Sequence, residues 1–395
     1  MFDSAIQFAR ENYNALVVLA GVSLLGASAG MIGAFAVLRR RALTGDALSH
    51  AALPGLCVAF LLLGEKHLPT MLLGALASGI VGIAIISALG RWTRVKEDAA
   101  IGIVLSVFFG LGIVLLTIIQ KLPNLGGQAG LSTYIFGKTA GMTRGDVYVI
   151  LGATLFCLAI VIFLYKEFQL VSFDSGFAQS LGWPVYGMDL LLMSLVAAAV
   201  VIGLPNVGVV LISALLIMPG AAARFWTDRL SSLLLLAGAF GFATGLVGTL
   251  LSATFEKLPA GPIIVLTGAA LFVVSLLFGR RRGAIARWLA NRRFQVDWQE
   301  RRELRRAYEA VESGQRPASA LSDKTMERAV EVTRGHRLWE VFLAEHPEQA
   351  GSVVNLASSS VADFVSPAVV EELTAKLESA GRWPRLPHPS TEARR

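Results

Sequence analysis

The chain has 395 residues, of which 54% are hydrophobic and 16% charged, with a formal net charge of +7 and a mean hydropathy of +0.62. That balance is too apolar for a soluble globular protein and excludes disordered and collagen-like classes. The charge is unevenly placed: residues 1–279 carry 15 Lys/Arg and 12 Asp/Glu, whereas residues 280–395 carry 20 and 16.

A helix needs about 20 mostly apolar residues to cross about 30 Å of hydrocarbon. Nine runs qualify, roughly at 15–38, 48–64, 70–90, 99–119, 147–165, 187–204, 207–223, 231–252 and 262–279, the second and seventh being short. The fold class is therefore all-α: a polytopic integral membrane helix bundle of about nine spans over residues 1–279, then a small cytoplasmic helical tail over 280–395. The first run is read as a retained span, because Asp3 and Glu11 cancel the positive charge that a signal n-region requires. Cys57 and Cys157 both lie inside apolar runs, which gives no disulfide framework and no CxxC signature.

Orientation follows from Lys and Arg in alternate loops. One set holds Arg39, Arg40, Arg41, Arg91, Arg94, Lys96, Lys166, Arg224, Arg229 and Arg280 to Arg282; the other holds Arg10, Lys66, Lys121, Lys138, Arg144 and Lys257. Twelve against six puts the first set, and the tail, in the cytoplasm. Small residues recur at helical spacing as Gly26 and Gly30, then Gly74, Ser78 and Gly82, then Gly241 and Gly245. Stripes of this kind predict close helix packing where lipid supplies no hydrophobic drive between helices.

The tail predicts an amphipathic helix over 284–312, broken by Gly314 and Pro317. A second helix is expected from an Asp323 N-cap to about Glu345, and a third from Pro367 to about Ser379. Its basic residues suit anionic lipid headgroups.

Ionisable residues at the edge of apolar spans are costly and default to function. Asp46 and His50, in GDALSHAALPG at 45–55, stand one helical turn apart on one face at the start of the second span. An oxygen and an imidazole nitrogen suit a first-row divalent metal such as Mn, Fe or Zn, while the competing reading is an Asp–His hydrogen bond that caps the helix. His67, in an outer loop, could receive an ion or stay solvated. In FDSGFAQSLGWPV at 173–185, Asp174 is an N-cap candidate for a short inner-face helix holding Phe177 and Ala178 and ended by Gly182 and Pro184, which is either a docking element or a plain connector. No GxxxxGK[ST], HExxH or GxSxG is present, so neither ATP binding by a phosphate loop nor hydrolase chemistry is expected. Ser49 and His50 point about 100° apart on a helix and cannot form a nucleophile–base pair.

These two segments, with LISALLIMPGAAAR ending at Arg224, resemble in their order the permease subunits of the zinc/manganese/iron ABC importers. The resemblance covers about residues 15–279. It implies a translocation subunit without enzymatic activity or bound cofactor, carrying Mn, Fe or Zn by alternating access. Its implied partners are cytoplasmic ATPase subunits, an external metal-binding protein and a second permease, either a copy or a paralogue. On the same footing Asp46 and His50 become metal ligands of the pathway, and Asp174, Phe177, Ala178 and Gly182 belong to the coupling helix. The alternatives are an ABC permease for a metal chelate such as a siderophore or cobalamin, a secondary metal transporter, and a membrane-tethered sensor.

The tail motif Thr333-Arg334-Gly335-His336-Arg337-Leu338-Trp339-Glu340, with Phe364-Val365-Ser366-Pro367 and a final Pro-His-Pro, resembles the metal-binding and dimerisation part of DtxR-type repressors. It implies His336 and Glu340 as tail metal candidates, with Asp363 where a His is usual. The segment before Thr333 is too short for a winged helix-turn-helix, so no DNA partner is expected.

Overall fold

The computed structural model describes residues 13–64, 67–121, 137–255, 258–347 and 365–386. Among them the chain is helical throughout, without a strand, and divides into two units, Met1–Ala286 and Arg287–Arg395. In chain order the first unit holds α1 (Tyr13–Leu38), α2 (Thr44–Leu63), α3 (Leu68–Trp92), α4 (Glu97–Lys121), α5 (Arg144–Phe163), α6 (Tyr165–Phe173), α7 (Ser175–Ser180), α8 (Val185–Arg224), α9 (Leu230–Thr254) and α10 (Ala260–Phe278). A helix α11 (Ala284–Glu312) crosses the boundary between the units, and α12 (Asp323–Glu345) and α13 (Pro367–Ser379) follow.

Among the described residues eight helices are long and apolar enough to cross a membrane: α1 to α5 and α8 to α10. The difference from nine lies in α8, where Gly208 leaves helical geometry with φ 78° and ψ 171°. A Cβ placed on Gly203 would fall 2.5 Å from Ile212 Cδ1, although residues nine apart in one straight helix are about 13.5 Å apart along its axis. The chain therefore turns back at Asn206-Val207-Gly208. The leg before the turn runs against α1, with Asp189 beside Arg39 and Gly203 beside Leu25. The leg after it runs with α1, Gly26 meeting Leu215 and Ala34 meeting Gly220. The sixth and seventh apolar runs are thus the two legs of a buried hairpin. Residues 209–224 reach only about 24 Å at 1.5 Å per residue, which is why this leg reads as a weak span.

The small-residue stripes sit at helix crossings. A Cβ on Gly241 would lie 2.0 Å from Gly26 O, and one on Gly30 would lie 2.6 Å from Ala237 O, so α1 and α9 touch backbone to backbone. Gly55 and Gly74 do the same between α2 and α3, where Ser78 Oγ also donates to Ala51 O at 2.7 Å. Close approach of this kind replaces the hydrophobic drive that lipid removes.

Local signals explain most helix starts. Thr143 and Asp146 form a reciprocal capping box on α5, and Glu97 and Asp98 occupy the first turn of α4, at the positive end of its dipole. In the tail unit Ser322, and not Asp323, caps α12, accepting from Thr325 N at 3.4 Å. Sequence order misleads here, because the cap lies one residue before the first helical one. Tyr308 of α11 is buried with Met326, Ala329 and Val330 of α12, and Trp339 and Phe342 pack on Leu373 and Leu377 of α13.

Replacing Gly241 by Val should force α1 and α9 apart at a cost of about 1–3 kcal/mol or more. In detergent, Gly241→Val is expected to lower the melting midpoint, while Gly152→Val, which meets open space, leaves it unchanged.

Candidate functional site

The α1–α2 connection places Asp46 in the first turn of α2 and His50 one turn further along. Asp46 does not cap α2: Leu43 is the N-cap and provides no side-chain bond. His50 Nε2 stands 3.8 Å from Asp46 Oδ1, too far for a hydrogen bond. The competing reading of a satisfied Asp–His cap therefore does not describe this geometry. His50 Nδ1 is buried without a hydrogen-bond partner, and the ring is held edge-on to Phe109 of α4 at 4.8 Å between centroids. Ser49 turns away, buried and donating to Gly45 O at 3.0 Å.

Pro54 lies inside α2, four residues after His50. Proline has no N–H to return to the carbonyl one turn earlier, so the carbonyl oxygen of His50 lacks its helical donor. That carbonyl points along the axis away from Asp46, which leaves a carboxylate and an imidazole together on one face, and such mixed oxygen and nitrogen donors suit Mn and Zn. The His50 side chain is 21% exposed and that of Asp46 44%, so the pair opens on one side of this chain. Among the described residues no three His, Cys, Asp or Glu side chains converge as a complete metal site. His67 is engaged locally, its Nδ1 2.7 Å from Thr70 Oγ1 at the start of α3.

The second predicted segment forms as read. Asp174 caps α7, its Oδ1 accepting from Phe177 N at 2.8 Å. Ala178 is buried beneath the short helix and Phe177 is exposed. Gly182 closes it with φ 81°, a left-handed conformation that favours glycine. Helix α6, immediately before it, escaped the sequence reading, because Lys166, Glu167 and Gln169 break the apolar pattern there.

Sequence reasoning also missed Asp189. It is a buried carboxylate in α8, held between Arg39 and Arg41 at 2.9 and 2.5 Å. The available signal was an acidic residue at the third position of an apolar run, which is costly in lipid unless paired.

In the tail, His336 Nε2 lies 3.3 Å from Glu340 Oε1, so the pair does meet on one face of α12. Two guanidinium groups surround it, Arg305 against His336 and Arg382 donating to Glu340 at 3.0 Å. These cations put positive charge beside the pair, which works against a metal ion there. Asp363 and the Pro-His-Pro end lie outside the described residues.

Residues 12–279 match the ABC 3 transport family over more than half of the chain. The chain belongs to that family. It is 45% identical over 287 residues to the manganese transport system membrane protein MntC of Bacillus subtilis, covering 73% of this chain and 66% of that one. It is 41% identical to the zinc transport system membrane protein TroC of Treponema pallidum, over 72% of this chain and 95% of that one. The solved structure of PsaBC from Streptococcus pneumoniae in complex with Fab aligns with a TM-score of 0.62 at 30% identity, covering 74% of this chain and 100% of that chain. The sequence expectation of a metal ABC importer permease is met, and the chain is a multi-pass membrane transport subunit. The family match stops at residue 279, so the likeness of the tail to repressors rests on its own motif alone.

Burial, and then Arg305, lowers the pKa of His336 below its ordinary 6.5. A folded-state value below the unfolded one means protons favour the unfolded tail: this stabilising contribution is complete above pH 6.5 and is lost as pH falls through the lowered value. Nuclear magnetic resonance of histidine-labelled protein should show a titration midpoint under 6.5 for the signal that His336→Gln removes; a midpoint at or above 6.5 contradicts the assignment of cause.

Proposed function

We propose that this permease carries Mn²⁺ across a bacterial inner membrane by alternating access, with Asp46 and His50 as transient ligands. The observation that carries this is the His50 imidazole, buried at Nδ1 without a partner and 3.8 Å from a carboxylate it does not bond. Unsatisfied donor atoms inside a membrane bundle are expensive, and a passing cation is what they fit. Manganese is the ion named because the relative at 45% identity is a manganese transport system membrane protein, and the carboxylate is a hard donor that suits it.

Two side chains hold an ion weakly, and the pair opens sideways. A second permease, a copy or a paralogue, would cover that opening and bring a matching Asp–His pair, completing a site loose enough to release its ion. ATP would be hydrolysed by separate cytoplasmic ATPase subunits docked on α7, and an external metal-binding protein would deliver the ion. The excess of Lys and Arg places the ends carrying Arg39, Arg91 and Arg224 in the cytoplasm. The tail would lie there too, as a packing unit without DNA binding. Residues 280–296 hold six Arg and no acidic residue, beside the exposed Trp288 and Leu289, and would meet anionic headgroups.

The test is manganese uptake by cells expressing equal membrane amounts of wild type, Asp46→Ala and His50→Ala. Each variant should lose at least about nine-tenths of uptake, the scale expected for removing one ligand. Near-normal accumulation in both would remove this pair from the pathway.

A further inference from the structure

The elbow between α1 and α2 gathers more of the fold than its length suggests. Arg40, with φ 60°, is the single non-glycine residue with positive φ among those described, a conformation that persists only where its surroundings enforce it. On either side, two arginines reach across the bundle. Arg39 Nη1 donates to Val171 O at the end of α6 at 2.9 Å, and its Nη2 stands 2.9 Å from Asp189 Oδ1. Arg41 Nη1 donates to Asp189 Oδ2 at 2.5 Å, and the same guanidinium pairs with Glu97 at the start of α4. The side chains of Asp189 and both arginines are 9% and 15% exposed.

The short helix α7 lies in the chain between two of these anchors, Val171 and Asp189. It is tied to the second through Trp183 N, which donates to Ala178 O, and through Pro184. Arg41 in turn precedes Asp46 by five residues. A cavity of about 700 Å³, lined by Arg39, Ser87, Arg91, Gln179 and Tyr186, separates α7 from α3 and leaves room for displacement.

We propose that Asp189, clamped by Arg39 and Arg41, is the positioning residue that transmits movement of α7 to the ligand-bearing helix α2. An apolar contact can slide under load. A planar guanidinium bridging two carboxylates keeps its register, because any shift breaks charge-assisted bonds in a poorly solvated place. The clamp thus forces the α1–α2 elbow to follow the α6–α8 connection. This rests on the reading above, in which α7 receives the motion of the ATPases.

The experiment measures manganese ions moved per ATP hydrolysed by the complete transporter in proteoliposomes, for wild type, Ala178→Pro, Asp189→Asn and Arg41→Lys. Asp189→Asn should lower that ratio about fivefold or more, the lower end of coupling between sites, while hydrolysis per assembled complex persists. Arg41→Lys keeps the charge but loses the planar fork that fixes two bonds in one geometry, and should lower the ratio in the same sense; it carries the test if Asp189→Asn fails to insert. A merely structural role would reduce the amount of complex and leave the ratio of the remainder unchanged. A wild-type ratio in the assembled Asp189 and Arg41 variants overturns the linkage. An unchanged ratio in Ala178→Pro, whose proline breaks α7, overturns the docking of ATPases at α7 instead.

Discussion

Hydrocarbon offers no hydrogen-bond partner and no counter-charge, and the packing of the membrane unit answers to that constraint. Hydroxyls inside the bundle turn back onto carbonyls four residues earlier, as Ser49, Ser194, Thr244 and Thr267 do. Charges gather at one end, where Asp189 and Glu97 meet Arg39 and Arg41. Glycines at crossings let backbones of α1 and α9 approach to contact, because packing and not water must hold the helices together. Some hydroxyls, such as Ser23 Oγ and Thr249 Oγ1, also stay buried without a partner, but the His50 imidazole is a nitrogen ligand with a carboxylate nearby and unbonded, which is what the proposed function builds on.

The same constraint bears on the proposed route from energy source to ligand. Helix α7 is short, capped by Asp174 and closed by Gly182, so it can shift as a unit. Its flanks lead to Val171 and Asp189, and both anchors are gripped by arginines of the elbow that starts α2. In the proposed mechanism motion and ligation therefore share α2.

Much of this was legible in the sequence because lipid makes hydropathy and small-residue spacing strong signals. The stripes at Gly26, Gly74 and Gly241 predicted crossings that exist, and the tail helices fall where their breakers, Gly314, Pro317 and Pro367, put them. Asp46 and His50 were visible as a turn-spaced pair at a span edge. What escaped was whatever depends on contacts distant in the chain. The hairpin within α8 shows only as a weak seventh run, since the turn needs Gly208 in an extended, positive-φ state that hydropathy does not register. Asp189 looked like one more acid near an interface until folding brought it to Arg39, 150 positions earlier. The His336–Glu340 pair kept its ligand spacing, yet Arg305 and Arg382 arrive from other elements and fill its surroundings.

The central claim is that the transported ion touches His50, and pulsed electron paramagnetic resonance of Mn²⁺ trapped in the assembled transporter tests it directly. Protein labelled with ¹⁵N-histidine should show imidazole nitrogen coupled to the manganese, and that coupling should vanish in His50→Ala while persisting in His67→Ala. Manganese retained in the transporter with no histidine coupling, or with a coupling indifferent to His50→Ala, would contradict the account.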